Sequence, residues 1–382
     1  MEKHRRLGES LSSSRNSLNF VRLLLATAVI VSHVLDPTLF SADLFNNWTL
    51  GGLAVWGFFA ISGYLITKSA LSQGFFRYLW KRVIRIYPGF VLSLVFTAFV
   101  FGPIVWMLTS HPGGHQGLNE YFSAPRIETP VISGSPWAYV IANLGLNIRV
   151  VWVAEVMRNS SLWTLWFEAL CYLVVGALAV LGILRRRLFV LASTAVLAAF
   201  IVVTLLTPRL FSEFNAYHGA NFQWMNLAKL LLMFMVGSNL YLFRDHVPDS
   251  GVLALALTGA VIISLWLPTA DMFHNPYYYF TWTDLSVVML AYPVLWLGAH
   301  LPSPRFTQRD DYSYGLYVFS FPVQVVIVTL FPSDTPAYLL IPIVIAATAP
   351  LAFASWWLVE RNFLKLKDWE PPALGRFRTN RL

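Results

Sequence analysis

Arg22 and His33 stand eleven residues apart in one apolar run, NFVRLLLATAVIVSH, from Asn19 to His33. At about 100° per residue, eleven steps close to within about 20° of whole turns, so a helix puts both side chains on one face about 16 Å apart along its axis. That gap is too wide for direct contact. A charged side chain near the centre of a membrane helix costs on the order of 3 kcal/mol, and such residues mark polar cavities and pathways. Two readings stay open from spacing alone. Either Arg22 snorkels to one interface while His33 ends the helix at the other, or the pair are two stations along one cavity. In the second case the two side chains mark a polar pathway through the bundle, with imidazole, of ordinary pKa near 6.5, at one station and guanidinium at the other.

Three more residues belong with them. Glu168, in SLWTLWFEALCYLV, lies some six residues inside another apolar segment, where a carboxylate needs a partner; it could orient an imidazole, bind an acceptor hydroxyl, or bond a neighbouring Trp or Tyr. Arg82 and Arg85, in KRVIRIYPGF, are three residues apart and thus neighbours on one helical face. Guanidinium forks match phosphate oxygens, although arginines at a span end also do no more than set topology. His300 sits at a span boundary, and His111, His115, His218, His246 and His274 fall in loops, where solvated side chains are expected. Ser62 and Gly63 read as helix-packing residues; Trp163, Trp166, Tyr314 and Tyr317 are pocket-lining or interface aromatics.

These residues need a bundle of membrane helices to hold them. The chain has 382 residues, 57% hydrophobic and 12% charged, which excludes an ordinary soluble domain. Ten apolar segments, at about 17–35, 48–67, 83–108, 162–184, 188–206, 227–243, 252–267, 285–299, 313–330 and 338–359, approach the length of a span. The expected fold is all-α: a polytopic bundle of about ten transmembrane helices, with 1–367 as one membrane-embedded domain and 368–382 as a cytoplasmic tail. The segment 137–153 is apolar but interrupted by Asn143, Asn147 and Arg149, so it reads as a re-entrant or interfacial helix in a long loop.

With the N-terminus in the cytoplasm and the first span uncleaved, most of the 27 basic residues fall on the inner side, including Lys68, Arg77, Lys81, Arg185 to Arg187, Arg305, Arg361, Lys367 and the tail arginines Arg376, Arg378 and Arg381. The net charge of +8 is spread over these short clusters, not along one groove, so nucleic acid is not an expected partner. The single cysteine, Cys171, rules out a disulfide or a thiolate metal site within one chain, and no metal is expected.

Five segments in order resemble the membrane acyltransferase family called acyltransferase 3: the Arg22 to His33 run, GGLAVWGFFAISGYLITKS (Gly51 to Ser69), KRVIRIYPGF (Lys81 to Phe90), SLWTLWFEALCYLV (Ser161 to Val174) and SYGLYVFSFPV (Ser313 to Val323). The resemblance covers nearly the whole chain. Ser320 stands where many members have a histidine, and Trp56 where a small aliphatic residue is common.

The resemblance implies an O-acyltransferase that moves an acyl group, most simply acetyl, from acyl-CoA to a hydroxyl on a carbohydrate, polysaccharide precursor or glycoside. It implies acetyl-CoA as donor, the cell's inner (plasma) membrane as location with both termini cytoplasmic, and contact with membrane lipid. Arg82 and Arg85 would hold coenzyme A phosphates, Arg22 donor groups deeper in the bundle, and His33, supported by Glu168, would deprotonate the acceptor. Transfer would be direct or completed by a partner protein. The alternative from another class is a glycolipid or small-molecule transporter or flippase, which would also want polar groups inside a bundle.

Overall fold

Among the described residues, helix is found at each of the ten apolar runs, although not every run forms one full-length helix. The computed structural model describes residues 5–12, 16–35, 49–109, 117–128, 132–207, 221–266 and 282–369. Arg376, Arg378 and Arg381, the loop histidines His111, His115, His218 and His274, and nearly all of the expected cytoplasmic tail lie outside the described residues.

The first span, Leu18–Leu35, opens where Asn16 Oδ1 accepts from the Leu18 amide at 3.3 Å and Ser17 Oγ donates to Leu301 O at 2.5 Å. The second, Leu50–Ser72, is capped by Thr49, whose Oγ1 accepts from Gly52 N at 2.9 Å and satisfies an amide that the helix start leaves free. Among the described residues eight helices are long and apolar enough to cross a membrane: these two, Phe75–Leu108, Ser160–Val180, Arg187–Leu206, Trp224–Leu242, Ser313–Leu330 and Ala337–Asp368. The expected segment at 252–267 is a shorter apolar helix, Gly251–Trp266. The one at 285–299 is built in three pieces, Trp282–Val287, Val288–Leu290 and Ala291–His300.

The first span is surrounded by the second, by Ala291–His300, by Ser313–Leu330 and by Ala337–Ser355, which places Arg22 and His33 inside the bundle. Leu50–Ser72 and Ser313–Leu330 are its most enclosed neighbours, whereas Arg187–Leu206 is peripheral. The closest packing is between Leu50–Ser72 and Asn221–Leu242. A Cβ at Gly63 would come 2.0 Å from Phe234 O, and one at Gly237 would come 2.2 Å from Ala60 O. Small residues let membrane helices approach to backbone contact, so the packing expected at Gly63 is present. Gly63→Val is expected to force these helices apart, costing about 1–3 kcal/mol of overpacking. Thermal-shift measurement of the purified protein checks this; an unchanged melting midpoint would contradict it.

Two π-helical turns re-aim long helices. One, Thr97–Phe101, exposes the Ala98 carbonyl, which Tyr121 OH caps at 2.5 Å. The other, Trp356–Glu360, turns Glu360 inward until it is 1% exposed.

The segment 137–153 is not a span. Pro136–Asn143 is an eight-residue helix, set between strands of a small sheet with order β1 (Ile127–Glu128), β2 (Ile132–Gly134), β3 (Trp152–Val153) and β4 (Met157–Arg158). The β1/β2 and β3/β4 pairs are antiparallel and β2/β3 is parallel. Asn143 is a loop staple: its Oδ1 accepts from Arg149 N at 2.7 Å and Val150 N at 3.1 Å, and its Nδ2 donates to Val150 O at 2.7 Å. Asn159 Nδ2 then donates to Val318 O at 2.8 Å, seating this cap on the Ser313–Leu330 helix.

Candidate active site

The charged residues meet at the end of the bundle where Lys81, Arg82 and Lys367 gather. A chamber of about 270 Å³ is walled there by Arg22, Lys81, Arg82, Arg85 and Lys367, together with Ser62, Tyr172 and aliphatic residues. Two carboxylates answer these five cations. Asp311, at the start of the Ser313–Leu330 helix, pairs with Arg22 Nη1 at 2.5 Å and with Arg85 Nη2 through the same oxygen. Glu360 pairs with the other arm of Arg85 at 3.2 Å and accepts from Ser355 Oγ at 2.8 Å. Burial alone would raise the Asp311 carboxyl, but Arg22, Arg85 and the Ser313 hydrogen bonds outweigh it and hold it down to about 2. Arg22 and Arg85 are thereby oriented and largely neutralised. Arg82 is not: its Nε is buried with no hydrogen-bond partner among the described residues. The chamber keeps a surplus of positive charge.

Arg22 also lines a narrow neck of about 30 Å³, with Glu168, Thr164, Ser313, Tyr314, Tyr317, Val55 and Phe58. Glu168 accepts from Ser62 Oγ at 3.0 Å and from Tyr172 OH. Tyr317 OH and Thr164 Oγ1 are 2.7 Å apart across the neck.

Val55 and Tyr317 continue from the neck into a third chamber, of about 180 Å³, which holds His33 with Thr49, Trp56, Ser161, Trp163, Asn226 and Lys229. The His33 ring meets the edge of Phe321 at 5.2 Å between centroids and 87°, and Gln324 Nε2 donates to the His33 carbonyl at 2.8 Å. Lys229 is balanced by Asp284 at 3.1 Å. The three cavities are neighbours with shared walls: Arg22 borders both the cationic chamber and the small cavity beside Glu168, and Val55 and Tyr317 border both that cavity and the chamber holding the His33 imidazole.

Residues 15–360 match the family model described as an acyltransferase domain. The chain belongs to the acyltransferase 3 family. It is similar to an O-acetyl transferase of Shigella phage Sf6, 29% identical over 361 residues that cover 91% of this chain and 96% of the relative. It is also similar to nodulation protein 10 of Rhizobium leguminosarum bv. viciae, 24% identical over 370 residues that cover 94% and 96%. No solved structure matches it significantly. The protein is a multi-pass membrane enzyme, an O-acyltransferase, and a transporter without acyl-transfer chemistry no longer accounts for it.

In this acyltransferase the residues singled out from sequence divide between the three spaces. Arg82, Arg85 and Arg22 share the cationic chamber, Glu168 is in the neck, and His33 is in the third chamber. Glu168 Oε1 accepts from both Ser62 Oγ and Tyr172 OH, so these two orient the carboxylate, and contact with His33 is not among the hydrogen bonds described. Ser62 is thus more than the packing residue expected, for it lines the first chamber and holds Glu168. Trp163, Tyr314 and Tyr317 line the passage; Trp166 is not among the lining residues. Sequence reasoning missed Asp311, Glu360, Lys229 and Asp284. Lys229 carried a usable signal, a lysine in an apolar span; Asp311 and Glu360 sit at span ends, where acids are unremarkable.

Proposed function

We propose that this enzyme transfers an acetyl group from acetyl-CoA, bound at its basic end, to a hydroxyl of a carbohydrate or glycoside that reaches His33 from the other side. The observation that carries the reading is that the small central cavity shares Arg22 with the basic chamber and Val55 and Tyr317 with the chamber holding His33, which supports one passage between them. The basic end faces the cytoplasm of a cell's inner membrane by the positive-inside rule, which matches where acyl-CoA is found. The Sf6 relative's name supports acetyl as the group moved and oxygen as its acceptor.

In this mechanism Arg82, with Lys81 beside it, holds coenzyme A phosphates, Arg85 lines the same chamber while paired with Asp311 and Glu360, and Arg22, aimed by Asp311, holds polar groups of the pantetheine arm at the neck. The thioester emerges beside Tyr317. His33 takes the proton of the acceptor hydroxyl as its oxygen bonds to the thioester carbonyl carbon. The carbon–sulfur bond then breaks, the sulfur leaves with the electron pair, and the imidazolium proton neutralises it. The acceptor's remaining hydroxyls meet Thr49, Ser161 and Asn226, and its ring lies against Trp56 and Trp163. Glu168 is a positioning residue: with Ser62 and Tyr172 it fixes the neck through which the arm passes.

Arg82→Ala is expected to weaken acetyl-CoA binding about tenfold or more, as loss of a charge-assisted contact should, with the protein still folded. Calorimetric titration of the purified protein tests it. Unchanged affinity would return Arg82 to a role in topology.

A further inference from the structure

The donor chamber has one wall that lies beyond the region matched by the family. The match ends at residue 360, and the chain then continues as a short helix, Arg361–Leu364, and a 3-10 turn, Lys365–Asp368. Leu364 and Lys367 of this segment line the chamber together with Arg82 and Ser62. Contacts with the Phe75–Phe96 helix hold the segment in place. Arg77 Nη2 pairs with Asp368 Oδ1 at 2.6 Å, Trp80 Nε1 donates to Leu366 O at 2.8 Å, and the Trp80 and Trp369 rings lie 5.4 Å apart.

Two features of these contacts matter. They are at the surface, with Arg77 41% and Asp368 58% exposed, and exposed ion pairs contribute little to holding two elements together. Lys367, the residue this segment turns to the chamber, makes no hydrogen bond or ion pair among the described residues, and Lys81, which faces the same space, makes none either. With Arg22 and Arg85 already matched by Asp311 and Glu360, the charge left for an anion is that of Lys81, Arg82 and Lys367. A ligand with several phosphates fits such a cluster better than one with a single charge.

We propose that residues 361–369 form a clasp over the donor's phosphate end, and that Lys367 on it is a donor-phosphate ligand supplied from outside the family's common domain. This rests on the reading of the basic chamber as the acyl-CoA site.

The test is binding of coenzyme A to the purified full-length protein by calorimetric titration, for wild type, Lys367→Glu, Lys367→Arg and Arg82→Ala. Lys367→Glu should weaken binding by about tenfold or more while eluting as the same monodisperse species, and Lys367→Arg, which keeps the charge, should bind within a few-fold of wild type. Loss of affinity in Arg82→Ala with wild-type affinity in Lys367→Glu would overturn the clasp and leave the donor site standing. Wild-type affinity in both variants would overturn the donor site itself, and the clasp with it. Equal weakening by Lys367→Glu and Lys367→Arg would also contradict the proposal, since the charge would not be what binds.

Discussion

Replacing His33 with alanine is expected to lower acyl transfer by about 10²- to 10⁴-fold, the usual contribution of a positioned general base, while the protein still inserts and binds its donor. A hydroxyl is a poor nucleophile until its proton is drawn off, and within the chamber that holds Trp56, Trp163 and Tyr317 His33 is the group suited to do so. The folding cost should be small. The residue's backbone, including the carbonyl that accepts from Gln324, is untouched, and the side chain borders a cavity. Coenzyme A release from acetyl-CoA, together with mass-spectrometric measurement of O-acetyl groups on cellular glycans, reads the effect. Turnover at the wild-type rate would remove His33 from the chemistry.

The second large effect is structural. Asp311→Ala should destabilise the bundle by about 3–5 kcal/mol, because it leaves two largely buried guanidiniums without their shared carboxylate. Arg22 is 20% exposed and Arg85 16%, so water offsets only part of that loss. Glu360 still reaches Arg85, but no hydrogen bond or ion pair to another carboxylate among the described residues reaches Arg22. The expected result is a marked fall in thermal midpoint and in recovered protein. Combining Asp311→Asn with Arg22→Gln separates charge from packing: the pair should regain part of the stability that Asp311→Asn loses, since neither unpaired charge of that couple remains. Activity should stay low, with Arg22 gone from the neck. A single variant as stable as wild type would show that Asp311 does not organise the chamber.

Much of this site could be read from sequence because hydrocarbon makes charge conspicuous. Arg22, His33 and Glu168 stand out in apolar runs, and a period of 3.6 residues puts Arg22 and His33 on one face. What periodicity cannot supply is the lateral position of one helix against another. Glu168 and His33 were expected to meet because they lie at similar depths, yet Glu168 is held by Ser62 and Tyr172 and reaches the neck instead. Asp311 and Glu360 were invisible for a related reason. Their partners are 289, 226 and 275 positions away, and nothing local marks an acid at a span end as a counter-charge. The cap was only half legible: Asn143 and Arg149 correctly argued against a span, but strands of two or three residues are too short to show alternation.

The central claim is that one passage carries the acyl donor from the basic end of the bundle to His33. Cryo-electron microscopy of the full-length protein with acetyl-CoA tests it most directly. The phosphates should lie against Lys81, Arg82 and Lys367, with the pantetheine arm between Arg22 and Glu168 and the thioester beside Tyr317 facing His33. Phosphates bound elsewhere, or an arm that runs outside the neck, would contradict it.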